Sequence, residues 1–117
     1  MTQPALAPGQ AWSIKSEIPT STKVVIGRIE PLQHHVVVHV SIIDIPNMDK
    51  LTAIDHMPFD QPSLATSLDQ LLGTGAAPAP NFETGYKQWR DANGGFFTIS
   101  VSEAIKVVFE AVNKPRS

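Results

Sequence analysis

Four histidines, His34, His35, His39 and His56, have the broadest chemical reach in this chain. An imidazole can act as base, acid or metal ligand near neutral pH. Along a strand, residues two apart share a face, so His35 and His39 point one way and His34 the other. Two imidazoles on one face would be half of a metal site. A zinc centre needs three or four ligands, and the chain has no Cys to supply any. His56, Asp55 or Asp60 would have to complete the set by folding, and no recognised ligand spacing joins them. The expectation is therefore no metal and no cofactor. His35 and His39 are read as hydrogen-bonded or solvated residues at an edge or mouth of a sheet.

The segment Asp55-His56-Met57-Pro58-Phe59-Asp60 joins a strand-rich half to a helical half. An Asp-oriented His beside a hydroxyl would make a general base. Ser63 and Ser67 are near in sequence, but no G-x-S-x-G elbow is present. A structural reading serves equally well: Pro58 turns the chain, Phe59 enters the core and Asp60 caps the next helix. No residue is assigned as catalytic. His56, Asp55, His35 and His39 stand as the candidates should catalysis exist. The carboxylates Glu17, Glu30, Asp44, Asp49, Asp55 and Asp60 show no spacing that implies an acid–base pair. Gly73-x-Gly75 and Gly94-Gly95 follow helices instead of preceding them, so neither can aim a helix N-terminus at a phosphate.

The aromatic set is Trp12, Phe82, Tyr86, Trp89, Phe96 and Phe97. Tyr86, Trp89 and Arg90 lie on one short helix, and Tyr, Trp and Arg are the types enriched at interface hot spots. Phe96 and Phe97 are consecutive in a short strand and must face opposite sides. One therefore leaves the main core unless a helix or a partner covers it. Tyr86, Trp89, Arg90 and Phe97 are the candidate partner-binding residues, set against the plainer reading of a helix packed on a sheet.

The elements that would position these groups are legible from pattern. Gln10–Lys15, Lys23–Glu30 and His34–Ile45 read as strands, with Pro19, Pro31 and Pro46 bounding them. The third run, at about 3.3 Å per residue, would be roughly twice a usual strand, so it should bend or bulge near Ser41. Asp60 precedes Gln61-Pro62 as an N-cap, and Leu64, Leu68, Leu71 and Leu72 share a helical face that ends at Gly73. Thr84 can cap a second helix running to about Asn93. Phe96–Ile99 reads as a strand. Ser100 and Glu103 form a capping box before a helix from Val101 to Val112 that buries Ile105, Val108, Phe109 and Val112. The predicted fold is α+β, a small strongly curved antiparallel sheet, at its limit a partly open barrel, with two or three helices packed on one side. Residues 10–112 form one domain, between flexible tails at 1–9 and 113–117.

Composition bounds the function class. The chain has 117 residues, 42% hydrophobic and 17% charged, with a net charge of -2. That balance excludes a wholly disordered chain and disfavours a nucleic-acid binder. The longest apolar run, Val36–Ile45, holds His39 and Asp44 and is half the length a membrane helix needs. The expected location is the cytoplasm. Gly9-Gln10-Ala11-Trp12, a strand, and then Val24-Val25-Ile26 superficially resemble the opening of the SH3-like-barrel ribonuclease toxins of toxin–antitoxin pairs. That resemblance implies a role for Arg28 or a nearby polar group on an RNA backbone. It covers residues 9–28 alone, and the helical remainder departs from the pattern. The preferred reading is a small soluble, bacterial-type, non-catalytic module that binds another protein as an inhibitor, immunity or regulatory partner. The alternative is a small His/carboxylate hydrolase or nuclease. A homo-oligomer joined along residues 34–45 is a third option.

Overall fold

The computed structural model describes residues 5–16, 20–47 and 50–113. Glu17, Pro19, Asp49 and residues 1–4 and 114–117 lie outside these segments, as do the side chains of Val112 and Asn113. The strands are β1 (Ala11–Ile14), β2 (Lys23–Leu32), β3 (His35–Asn47), β4 (Lys50–Asp60) and β5 (Leu68–Gly73). The helices are α1 (Gln61–Ser67), α2 (Phe82–Asp91) and α3 (Val101–Asn113). All strand pairs are antiparallel, in the order β4-β3-β2-β1-β5. The α+β class is as predicted. The sheet is open and not strongly curled, so the barrel limit is not reached.

The long third strand does contain the expected irregularity. Its register against β4 shifts between Val40 and Ile42, on either side of Ser41. That shift lets the Ser41 hydroxyl donate to the Asp55 carbonyl at 2.7 Å and accept from the Ala79 N–H at 2.9 Å, tying the loop before α2 to the sheet. β3 lies between β2 and β4, so residues 34–45 are not an edge available for oligomerisation. The strand β4 covers it, and the candidate segment Asp55–Asp60 is part of that strand instead of a loop. Pro31 and Pro46 sit within ladders instead of bounding them, opposite Val36 and Leu51, and Pro58, expected to turn the chain, pairs with His39 inside β4. Pro58 is tolerated because β4 is at the edge, where its missing donor costs no ladder bond.

One face of the sheet is apolar throughout. Trp12, Val24, Ile26, Val38, Val40, Ile42, Met57 and Phe59 are buried there with Leu64 of α1 and Val101 and Ala104 of α3. The capping box forms as predicted, with the Glu103 N–H donating to Ser100 Oγ at 3.2 Å. Ile105, Val108 and Phe109 pack on this core, partly buried. Phe97 bridges to Phe59 in parallel: its N–H donates to the Pro58 carbonyl and its carbonyl accepts from the Asp60 N–H. The expected strand at 96–99 is thus a single bridge that covers this end of the β4 edge.

Two expectations about helices fail. The predicted helix from Asp60 to Leu72 stops at Ser67. Leu68 turns extended (φ -85, ψ 143), and β5 pairs with the outer edge of β1, Ile14 with Leu68 and Trp12 with Leu71. A continued helix would have left the β1 edge without backbone partners, and that demand outweighs the helical spacing of the leucines. Leu71 and Leu72 are 37% and 49% exposed as a result. The helices also do not share one side. α2 packs on the face opposite α1 and α3, where Val25, Val37, His39 and Ser41 alternate with the apolar set. Residues 5–9 carry backbone bonds from Gly9 to Ile26 and from Ala76 to Gly9, and Leu6 packs on the core.

Candidate functional site

The face under α2 is built on the β2–β3 hairpin. Leu32 pairs with His35 across a turn in which Gln33 takes left-handed backbone (φ 56). The register then sets Arg28 opposite His39 and Glu30 opposite Val37. Cross-strand partners share a face, and diagonal neighbours lie within reach of long side chains. A bulge between Ile26 and Arg28 turns Gly27 toward α2. A Cβ on Gly27 would stand 2.5 Å from the Phe82 ring, so only glycine admits that aromatic to the sheet.

α2 starts at Phe82, with Asn81 at the N-cap position instead of Thr84. Phe82 and Tyr86 are buried on its inner side and Trp89 is half-buried. Gly85 sits where a Cβ would be 2.7 Å from the His56 Cβ, letting the helix close over that ring. At the far end the Trp89 indole donates to the Gly95 carbonyl at 2.7 Å and leaves no room for a Cβ on Gly94.

Under this helix Glu30, His39 and His56 form a chain. His39, fully buried, places Nε2 2.8 Å from a Glu30 carboxylate oxygen and Nδ1 2.8 Å from Nε2 of His56. A carboxylate only accepts, so His39 carries its proton on Nε2 and accepts at Nδ1 from the Nε2–H of His56. The lone pair of His56 is thereby left on Nδ1, which lies toward Gly85. Burial lowers the pKa of His39 despite the bond to Glu30, and burial with the neighbouring His39 lowers that of His56 to about 4. Both rings are neutral at pH 7. Tyr86 and Trp89 meet His39 edge-on at 4.9 and 4.5 Å, and Phe82 meets His56 at 5.5 Å. The Arg28 guanidinium lies 4.3 Å from the Tyr86 ring centre. Burial and the Glu30 carboxylate raise the Tyr86 pKa.

The other candidates fall elsewhere. His35 shares a face with His39, but four residues on a strand span about 13 Å. Its Nδ1 bonds Asp60 at 3.2 Å and its ring meets Phe96 at 4.9 Å. The Asp60 carboxylate makes no helix-capping bond. Among the described residues no group of three or more His, Asp or Glu could hold a metal. Asp55 edges a separate recess with Ala79 and Pro80. Ser67 donates to the Ser63 carbonyl and accepts from the Val101 N–H on the opposite face, so neither serine meets His56. Of the partner-binding candidates, Tyr86 is 6% exposed and Phe97 packs on Phe59, while the Arg90 side chain is 60% exposed.

A cavity of about 440 Å³ opens beside the chain of imidazoles, at the hairpin end of the sheet. Leu32, Trp89 and Phe96 form its apolar wall, and Glu30, His35 and Arg90 bring charge or polarity to it. Phe96 faces this cavity and Phe97 the apolar core, the opposed pair their adjacency requires. Glu30 was weighed only as one carboxylate among six and Arg28 only through the resemblance to ribonuclease toxins, and neither was linked to His39. A two-residue turn at Gln33-His34 would have revealed both as neighbours of His39. Compared with family models, curated proteins and solved structures, the chain matches none.

Proposed function

We propose that the protein is a non-catalytic binding module, acting as a regulatory or inhibitory partner of another protein through the exposed end of α2 and the adjoining cavity. The observation that carries this reading is the division of labour on the α2 face. Its polar groups are internally satisfied beneath the helix, while an aromatic-walled cavity stays open with Arg90 exposed at its edge. Interface anchors are commonly aromatic or Arg groups set in such recesses. No helix among the described residues is long and apolar enough to cross a membrane.

A peptide-display selection on the immobilised chain tests it. Enriched peptides should lose at least tenfold in affinity on the Arg90→Glu variant, because this exposed side chain can be reversed without disturbing the core. Equal binding to both would overturn the reading.

The Glu30–His39–His56 chain favours a second reading, a His/carboxylate hydrolase or nuclease, since a carboxylate-oriented imidazole is the usual frame of a general base. Against it stands the pKa of about 4 at His56, far below the value that suits a base near neutrality. Turnover of RNA or ester substrates abolished by His56→Ala and untouched by Arg90→Glu would favour the enzyme.

A further inference from the structure

We propose that the cavity beside α2 is a binding site for a free zwitterionic aromatic amino acid, so that the surface read above as protein-binding holds a small-molecule site in its recess. At about 440 Å³ the space lies within the range of small-ligand pockets. Trp89 and Phe96 both line it, and Trp89 is held by its bond to the Gly95 carbonyl. A planar apolar side chain packed against this wall gains aromatic contacts.

The charges select the rest of the ligand. One Glu30 oxygen is fixed by His39 Nε2, which holds the carboxylate in place, and the side chain keeps 30% exposure. This is a pre-positioned acceptor for an ammonium. Arg90, of opposite sign, edges the same cavity; its ion pair is with Asp91, at 3.9 Å. Among the described residues no ion pair joins Glu30 to Arg90. Two opposite charges sharing one recess without neutralising each other match a ligand that carries both. The ammonium meets Glu30, the carboxylate meets the guanidinium in paired hydrogen bonds, and the ring meets Trp89 and Phe96. A ligand with one charge engages only one of the two groups.

Isothermal titration of the full chain with L-tryptophan, tryptamine and indole-3-propionate decides this without any protein partner. Tryptophan should bind saturably and at least tenfold more tightly than tryptamine, which lacks the carboxylate, or indole-3-propionate, which lacks the ammonium. Arg90→Ala should bring tryptophan down to the level of tryptamine and leave tryptamine unchanged. Glu30→Gln should weaken both amines, with circular dichroism confirming its fold. No saturable binding of tryptophan at millimolar concentration, or equal binding of tryptamine, would overturn the proposal. Either result would leave the protein-binding reading standing, since peptide selection measures that separately.

Discussion

Beneath α1 and α3 the sheet buries Trp12, Ile26, Ile42 and Phe59 against leucine, valine and alanine. Beneath α2, on the opposite face of the same strands, it buries His39 and Ser41 and sets His56 under Phe82 and Gly85. The first face is closed by burial of apolar area, which has no direction and tolerates many packings. The second adds to its buried Phe82 and Tyr86 a set of hydrogen bonds, which must each be met in one geometry or cost free energy. Its glycines are correspondingly demanding: Gly27, Gly85 and Gly94 each stand where a Cβ would collide with a ring or with His56. The contrast teaches that the α2 face tolerates the fewest alternative arrangements, and it is also where the open cavity lies.

The strongest blow should fall on the apolar face. Phe59→Ala removes a fully buried ring from between the sheet and Phe97 and should cost about 3–5 kcal/mol, read as a lower denaturation midpoint. A cost under about 1 kcal/mol would mean that this face is not the main source of stability.

On the polar face, His39→Ala leaves the His56 Nε2–H and the Glu30 carboxylate without their partner and should cost about 2 kcal/mol. Combined with His56→Ala in a double-mutant cycle, it should show coupling of about 1 kcal/mol. Additive losses would dissolve the chain into unrelated contacts.

The smallest effect is the pH dependence. Both imidazoles are held neutral, with folded pKa values below the ordinary 6.5 of the unfolded chain. Between those values the unfolded state binds more protons, so stability is full above pH 6.5 and falls as pH drops toward about 4. After screening of the partly exposed His56, the loss should be about 1 kcal/mol, visible as a lower melting temperature at pH 4.5 than at pH 7. The double variant lacking both imidazoles should show a flatter profile. An unchanged slope would assign the acid sensitivity to other groups.

Much of the fold was legible because local chemistry was enough for it. The β-branched runs formed β2 and β3, the excess length of the third run produced a shift at Ser41, and Ser100 with Glu103 opened α3. The leucines after Asp60 misled because their spacing is helical, yet the unpaired backbone edge of β1 outweighed it and drew the segment into a strand. At the site, His39 and His56 were legible as candidates, but their meeting was not. They lie on different strands, and a one-residue change in register would have turned either ring to the other face. Glu30 was one carboxylate among six until the hairpin register placed it diagonal to His39.

By itself the sequence determined an α+β chain without thiol chemistry, the sign and size of its charge, and the opposed facing of Phe96 and Phe97. These follow from residue type and from the twofold alternation of a strand. Only the tertiary structure decided which faces the helices cover, that two imidazoles and a carboxylate join, and that a cavity remains beside them. Those outcomes depend on strand register and on backbone groups far apart in sequence finding partners, which no local pattern encodes.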